Sequence, residues 1–147
     1  MTENQIKHLE FIHTNIFHMN QCSFQMKGWT ITIVSALLAL YAASIDINTN
    51  PKGNLAFVLI SIFPAIIFWL LDSYYLQQER KFRGIYNEIA NLNCNKITSV
   101  KDFEMPLNKF SGGDYSYISS LFSITECLLY LSIIIALLII GIVVSLL

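Results

Sequence analysis

Three long apolar runs, separated by polar segments, divide the chain. They cover approximately residues 28–45, 55–71 and 127–147. A helix needs roughly 17–25 predominantly apolar residues to cross the hydrocarbon core of a bilayer, and each run meets that requirement. The sequence therefore predicts an all-α membrane protein with three transmembrane helices.

The segment before the first run predicts an amphipathic helix over residues 1–27. Thr2 and Gln5 have the spacing of a capping box at its start. Steps of three and four residues then separate four apolar side chains, Leu9, Ile12, Ile16 and Met19. This heptad-like spacing is typical of a seam between helices, and we expect it to contribute to an oligomer interface. The alternative is a helix lying on the membrane surface, which the scarcity of basic residues disfavours.

The second apolar run continues into a polar helix without a strong helix breaker. Its extension carries an apolar stripe that requires a partner helix, formed by Phe82, Ile85, Tyr86, Ile89 and Leu92. We therefore predict one helix from the second span into the cytosol. The predicted segments are an N-terminal cytosolic helix (1–27), a hairpin of spans one and two (28–75), a cytosolic helix and loop (76–114), and a third helix and span (115–147).

Small residues recur along the first span. The row consists of Gly28, Thr32, Ser35, Ala39 and Ala43. Helices associate in lipid through close packing, and small side chains let two backbones approach each other. We interpret this row as a helix–helix contact between subunits.

Charged residues gather where the second and third spans meet water. A carboxylate at the depth of Asp72 is costly unless it is paired or hydrated. Lys27, Arg80 and Arg83 are its candidate partners, and a hydrated carboxylate is the alternative. We predict an interfacial charge network made of Asp72, Glu79, Arg80, Arg83 and Glu126.

Composition and motifs argue against several function classes. The chain is 54% hydrophobic and 13% charged, with a net charge of −1, which gives no basis for nucleic-acid binding. It contains no Ser/His/Asp order, HExxH motif or nucleotide loop, so we predict neither an enzyme nor a cofactor. His8, His13 and His18 are five residues apart, so they point in different directions and predict no metal site on one helix; ligation across an oligomer is the alternative. Cys22, Cys94 and Cys127 form no CxxC pair.

Basic residues predict the orientation. Eight of the nine lysines and arginines precede span one or lie between spans two and three, and only Lys52 lies in the opposite loop. The positive-inside rule therefore predicts a cytosolic N-terminus and an outward-facing C-terminus.

One stretch carries a resemblance to a known family. Residues 69–83 read Trp-x-Leu-Asp-x-Tyr-Tyr-Leu-x-x-Glu-Arg-x-Phe-Arg, and residues 26–40 read MKGWTITIVSALLAL. Together they resemble the RipA-like family of small bacterial membrane proteins. The resemblance implies a homo-octamer in the bacterial inner membrane.

The residues and the resemblance lead to two functional expectations. The first is a homo-oligomeric inner-membrane assembly that acts as a pore or a membrane effector. Its polar wall would consist of Thr30, Thr32 and Ser35, with Asp72 or Glu126 at the mouth. These hydroxyls have an alternative role in packing or in bonds to their own backbone. The second expectation is a membrane anchor or scaffold for a cytosolic partner protein.

Overall fold

The computed structural model describes residues 2–46, 52–92 and 100–146. Four α-helices follow in chain order, α1 (Glu3–Ala43), α2 (Ala56–Ile89), α3 (Tyr117–Leu121) and α4 (Ile124–Leu146). Short 3₁₀ turns cover Leu107–Lys109 and Gly113–Tyr115, and the described residues contain no strand. Helices α1, α2 and α4 are each long and apolar enough to cross a membrane. The prediction of an all-α protein with three spans is confirmed.

Helix α1 joins the predicted N-terminal helix and the first span into one helix of 41 residues. It begins with the predicted capping box: the Thr2 amide donates to Gln5 Oε1 at 3.0 Å, and the Gln5 amide donates to Thr2 Oγ1 at 3.3 Å. The predicted segment boundary at residue 27 therefore falls inside a continuous helix, because no residue there interrupts the backbone ladder.

Helix α2 also runs without interruption from the second span into the polar extension, as predicted, with Pro64 inside it. It ends in a left-handed residue, Asn91, at φ 54°. The Leu92 amide donates to Asn87 O at 2.9 Å, and the Asn91 amide donates to Glu88 O at 3.3 Å. This is a Schellman motif, which satisfies two carbonyls that the last helical turn leaves unpaired.

The predicted last helix is divided into two. Its expected start near Asp114 lies in the 3₁₀ turn Gly113–Tyr115, and α3 ends at Leu121 before α4 begins at Ile124. The Ser123 carbonyl accepts the amide hydrogen of Cys127 at 2.9 Å, which opens the hydrogen-bond ladder of α4. Because α4 begins earlier than the predicted third span, Glu126 lies in its first turn.

The chain forms two compact units. Unit 1 combines Met1–Phe24 with Ser73–Phe122, and unit 2 combines Gln25–Asp72 with Ser123–Leu147. This grouping differs from the four consecutive segments expected from the sequence. The reason is that α1 and α2 each contribute residues to both units.

Unit 1 has an apolar core supplied by three parts of the chain. Ile12 and Ile16 of α1 pack with Phe82 and Ile85 of α2 and with Phe110 of the following loop. The partner helix that the apolar stripe of α2 requires is therefore α1 of the same chain.

Gly84 provides the space for the loop to pack on α2. A Cβ at this position would lie 2.7 Å from Cδ1 of Phe110 and 2.9 Å from the Tyr115 hydroxyl. The Phe110 and Tyr115 rings stack edge to face, with their centroids 5.3 Å apart. The glycine inside α2 is thus a site of close approach.

Unit 2 packs the three spans around a smaller core. Val34 of α1, Val58 and Ala65 of α2, and Leu137 of α4 are its buried members. Most of the remaining surface of the three spans is apolar and uncovered, as expected for helices that contact lipid.

Candidate functional site

A buried polar cluster lies inside unit 2, and each of the three spans contributes to it. Lys27 comes from α1, Asp72 from α2, and Glu126 and Tyr130 from α4. Glu126 and Tyr130 are four residues apart, so the helical repeat places both on one face of α4. Asp72 and Tyr130 are fully buried, Glu126 is 2% exposed, and the Lys27 side chain is 22% exposed.

Lys27 connects the two acidic side chains. Its Nζ donates to Asp72 Oδ2 at 2.5 Å and to Glu126 Oε1 at 2.9 Å. The Tyr130 hydroxyl donates to the same Asp72 oxygen at 2.9 Å. Asp72 therefore accepts hydrogen bonds from two side chains on two different helices, which fixes α1 and α4 against α2 at this level.

The surroundings of the cluster restrict its motion. The indole of Trp69 stacks on the Tyr130 ring, with centroids 6.3 Å apart and the planes 14° from parallel. Thr30 is fully buried, and its hydroxyl donates to the Met26 carbonyl at 2.8 Å. Aromatic stacking and a bonded hydroxyl leave these side chains little rotational freedom.

The charges of the cluster do not balance. Two carboxylates and one ammonium carry a formal charge of −1, and both carboxyl groups are almost completely buried. In addition, Asp72 Oδ1 and Glu126 Oε2 have no hydrogen-bond partner among the described residues. An uncompensated charge buried away from water costs several kcal/mol, roughly. Full ionisation of both acids at this site is therefore unfavourable.

The predicted charge network is divided between the two units. In unit 1, Glu79 is 5% exposed and accepts hydrogen bonds from Arg83. Arg80 donates to the Asp114 carbonyl at 3.1 Å and to Ser119 Oγ at 3.3 Å. In unit 2, the structure assigns Lys27 as the cation beside Asp72 and brings Glu126 to it.

The structure adds Lys27 and Tyr130 to the predicted site residues. Lys27 was one of three candidate partners of Asp72 by sequence. Tyr130 stands inside an apolar run, where its spacing from Glu126 was the available signal. A tyrosine four residues beyond a carboxylate presents its hydroxyl on the same helix face.

The row of small residues on α1 faces away from the core of unit 2. All five members, Gly28, Thr32, Ser35, Ala39 and Ala43, are exposed in the single chain. The helical repeat of about 100° per residue places them opposite Val34 and Tyr41, which pack in the core. The row is therefore available to a neighbouring helix.

The predicted seam of the N-terminal helix packs against other parts of its own chain. Ile12 is fully buried and Ile16 is 9% exposed, and Met19 packs against the same core of unit 1. These side chains contact α2 and the loop of their own chain, and their contribution to an oligomer interface stays a prediction. Leu9 is half-buried and lines a groove on unit 1.

The candidate pore-lining groups are likewise placed differently from expectation. Thr30 is buried, and Asp72 and Glu126 are enclosed by the cluster, so none of the three lines an open surface of the single chain. Thr32 and Ser35 are exposed, and the Thr32 hydroxyl donates to the Gly28 carbonyl at 2.9 Å. That bond fits the alternative in which the hydroxyl serves its own backbone.

The histidines and cysteines form no metal centre in the described ranges. His8 is buried in unit 1, where its Nδ1 accepts the Phe103 amide hydrogen at 3.1 Å and its ring stacks on Phe103. Cys22 and Cys127 are not disulfide-bonded, and Cys94 lies outside the described residues.

Comparisons of the chain with known protein families, with characterised proteins and with solved structures find no match. The buried cluster and the exposed row of small residues therefore carry the functional argument.

Proposed function

We propose that the protein is a subunit of a homo-oligomeric assembly in the bacterial inner membrane. The exposed row of small residues on α1 carries this proposal. Lipid tails are as apolar as leucine, so a bilayer creates no need for small residues on a surface that it contacts. A neighbouring helix backbone lying close against the row accounts for the pattern.

A second surface supports association. Ser132 and Ala136 of α4 are exposed and four residues apart, in the small-xxx-small spacing of closely packed helices. Two separate surfaces of this kind on one subunit allow each copy to contact two neighbours, which is the requirement for a closed ring. The resemblance to RipA-like proteins adds the expectation of eight copies.

The assembly is proposed to act as a pore or as a membrane effector. In a pore, Thr32 and Ser35 would be the polar groups that α1 contributes, because both are exposed. The orientation remains the one that the basic residues predict, with a cytosolic N-terminus and an outward-facing C-terminus.

The alternative function is a membrane anchor or scaffold for a cytosolic partner, and a groove on unit 1 favours it. The groove holds about 430 Å³ and is lined by Ile6, Leu9, Glu10, His13 and Tyr86. A second depression of about 400 Å³ shares His13 and Tyr86 and extends to Arg83 and Asn87. Such a surface combines apolar contact area with groups able to form hydrogen bonds.

The mass of the native assembly tests the proposal. In nanodiscs or mild detergent, native mass spectrometry is expected to give one discrete oligomer. A monomer under all conditions would contradict both the ring and the pore and leave the anchor. For a discrete oligomer, ion flux through liposomes separates the two functions: flux identifies a pore, and sealed liposomes identify an effector or scaffold.

A further inference from the structure

The cluster of Lys27, Asp72 and Glu126 lacks one positive charge. The described groups facing it are Lys27 from α1, Asp72 from α2, and Glu126 and Tyr130 from α4, with the buried Thr30 hydroxyl nearby. Lys27 is the cation among them. Full ionisation of both acids therefore leaves a net charge of −1 in a buried site.

The unpartnered oxygens show where the missing charge would act. Within the described ranges, Asp72 Oδ1 and Glu126 Oε2 have no donor, although Asp72 is fully buried and Glu126 is 2% exposed. Lys27 Nζ lies 2.5 Å from Asp72 Oδ2 and 2.9 Å from Glu126 Oε1, so the two carboxyl groups converge on the same atom. Two carboxylates have no hydrogen to share, but one proton turns the pair into a donor and an acceptor.

The space at the site limits the size of the occupant. A hard metal cation needs about six oxygen ligands, and the described residues contain no group of three acidic, histidine or cysteine side chains able to hold one. The unpartnered oxygens also have almost no exposed surface. A proton requires neither additional ligands nor additional space.

The hydrogen bonds indicate which acid holds the proton. Asp72 accepts from both Lys27 and Tyr130, whereas Glu126 accepts from Lys27. Donors stabilise the ionised form of a carboxyl group, so Asp72 is the better carboxylate. The first turn of α4 favours a negative charge on Glu126, but this effect is smaller than the cost of an uncompensated charge buried away from water.

We propose that the Lys27–Asp72–Glu126 cluster is a proton-binding site, in which Glu126 holds one exchangeable proton and donates it in a hydrogen bond to the Asp72 carboxylate. The proton makes the cluster neutral. Its release leaves two adjacent carboxylates beside one ammonium, and their repulsion acts between α2 and α4 inside unit 2. The site is thus suited to couple proton binding to the packing of these two spans.

Infrared spectroscopy of the full-length protein in detergent tests the proposal through the carbonyl stretch of a protonated carboxyl group. The wild-type protein is expected to show this band at neutral pH, with a shift in heavy water. Glu126→Gln should remove the part of this band that comes from the cluster. Asp72→Asn should also remove it, because Glu126 can then ionise as the single counterion of Lys27.

A matched control separates this site from the buried carboxyl group of unit 1. Glu88 is also buried, at 4% exposed, but it lies outside the cluster. Glu88→Gln should therefore leave the part of the infrared band that Glu126→Gln removes. The proposal is overturned if the Glu126→Gln and wild-type spectra coincide in this region. A wild-type spectrum without a protonated-carboxyl band at neutral pH also overturns it, and that measurement needs no variant to fold.

Discussion

At the scale of single residues, Lys27 has the largest electrostatic role in unit 2, because its ammonium group pairs with two buried carboxyl groups. It is the cation for two acids that have lost nearly all contact with water. Removal of one partner from a buried ion pair is far more costly than removal of an exposed pair, because the remaining charge keeps its desolvation penalty. The position of Lys27 inside α1 therefore matters more than its charge alone.

Lys27→Met tests this role. The substitution keeps the length and the apolar stem of the side chain but leaves both acids without their ammonium, so the free energy of unfolding should fall by about 3–5 kcal/mol. Thermal unfolding in detergent would show this as a large decrease in Tm. Lys7→Met is the control, because Lys7 pairs with Glu3 on an exposed surface and should contribute less than about 1 kcal/mol. Equal small shifts in both variants would contradict the role of Lys27.

Gly84→Ala tests the close packing of the loop on α2. Alanine favours a helix by about 1 kcal/mol over glycine, yet its Cβ would lie 2.7 Å from the Phe110 ring. Overpacking of this kind costs typically 1–3 kcal/mol, so we expect a net decrease in Tm. Gly141→Ala, whose Cβ would have nothing within 4 Å in the described structure, should leave Tm unchanged or raise it. Stabilisation by both substitutions would show that Phe110 moves aside at little cost.

At the scale of elements, the two long helices present different faces to different surroundings. Over residues 3–24, α1 turns Ile12 and Ile16 into the core of unit 1. Over residues 25–43, the same helix turns Val34 into the core of unit 2 and leaves its small residues exposed. A single helix therefore serves both intramolecular packing and the proposed subunit contact.

Ala39→Phe tests the proposed subunit contact on α1. A large side chain in the middle of the row would separate two closely packed backbones while keeping the span apolar. Native mass spectrometry should show a shift to smaller species, and any ion flux should decrease. Leu40→Phe is the matched control, because Leu40 is 52% exposed and lies about 100° around the helix from Ala39. Unchanged assembly in both variants would remove the main support for the oligomer.

Arg83→Ala tests the ion pair within α2. Glu79 has a side chain only 7% exposed, whereas that of Arg83 is 60% exposed. The substitution leaves a buried carboxylate without its donor, which we expect to lower the free energy of unfolding by roughly 1–3 kcal/mol. An exposed pair at this spacing contributes about 0.3–0.5 kcal/mol. A change in that smaller range, measured by thermal unfolding beside Lys7→Met, would mean that water replaces the arginine.

At the scale of the whole molecule, the three spans and the basic residues determine the proposed topology. An odd number of crossings places the two termini on opposite sides of the membrane. The eight-to-one distribution of lysine and arginine predicts which side each terminus occupies.

Reporter fusions test this topology. Alkaline phosphatase is active outside the cytoplasmic membrane, so a fusion after Leu147 should be active and a fusion after Lys101 inactive. The opposite pattern would invert the orientation. Inactivity at both positions, with expression verified by immunoblot, would show that α4 does not cross the membrane.

Local patterns in the sequence were sufficient to predict the helices of this protein. Apolar run length predicted three spanning helices, the absence of a breaker predicted the continuous α2, and the Thr2–Gln5 spacing predicted the capping box. These features depend on residues within one or a few helical turns of each other, so local periodicity and local hydrogen bonding suffice to predict them.

Which helix faces contact each other follows from long-range packing. The sequence showed that Asp72 needed a partner, but its contact with Lys27 depends on how α1 and α2 are rotated about their own axes. The same rotations bury Ile12 and Ile16 within the chain and leave Ala39 exposed. Periodicity shows that a helix has an apolar or a small-residue face. The partner of that face is determined by contacts between residues far apart in the sequence, such as Lys27 with Glu126.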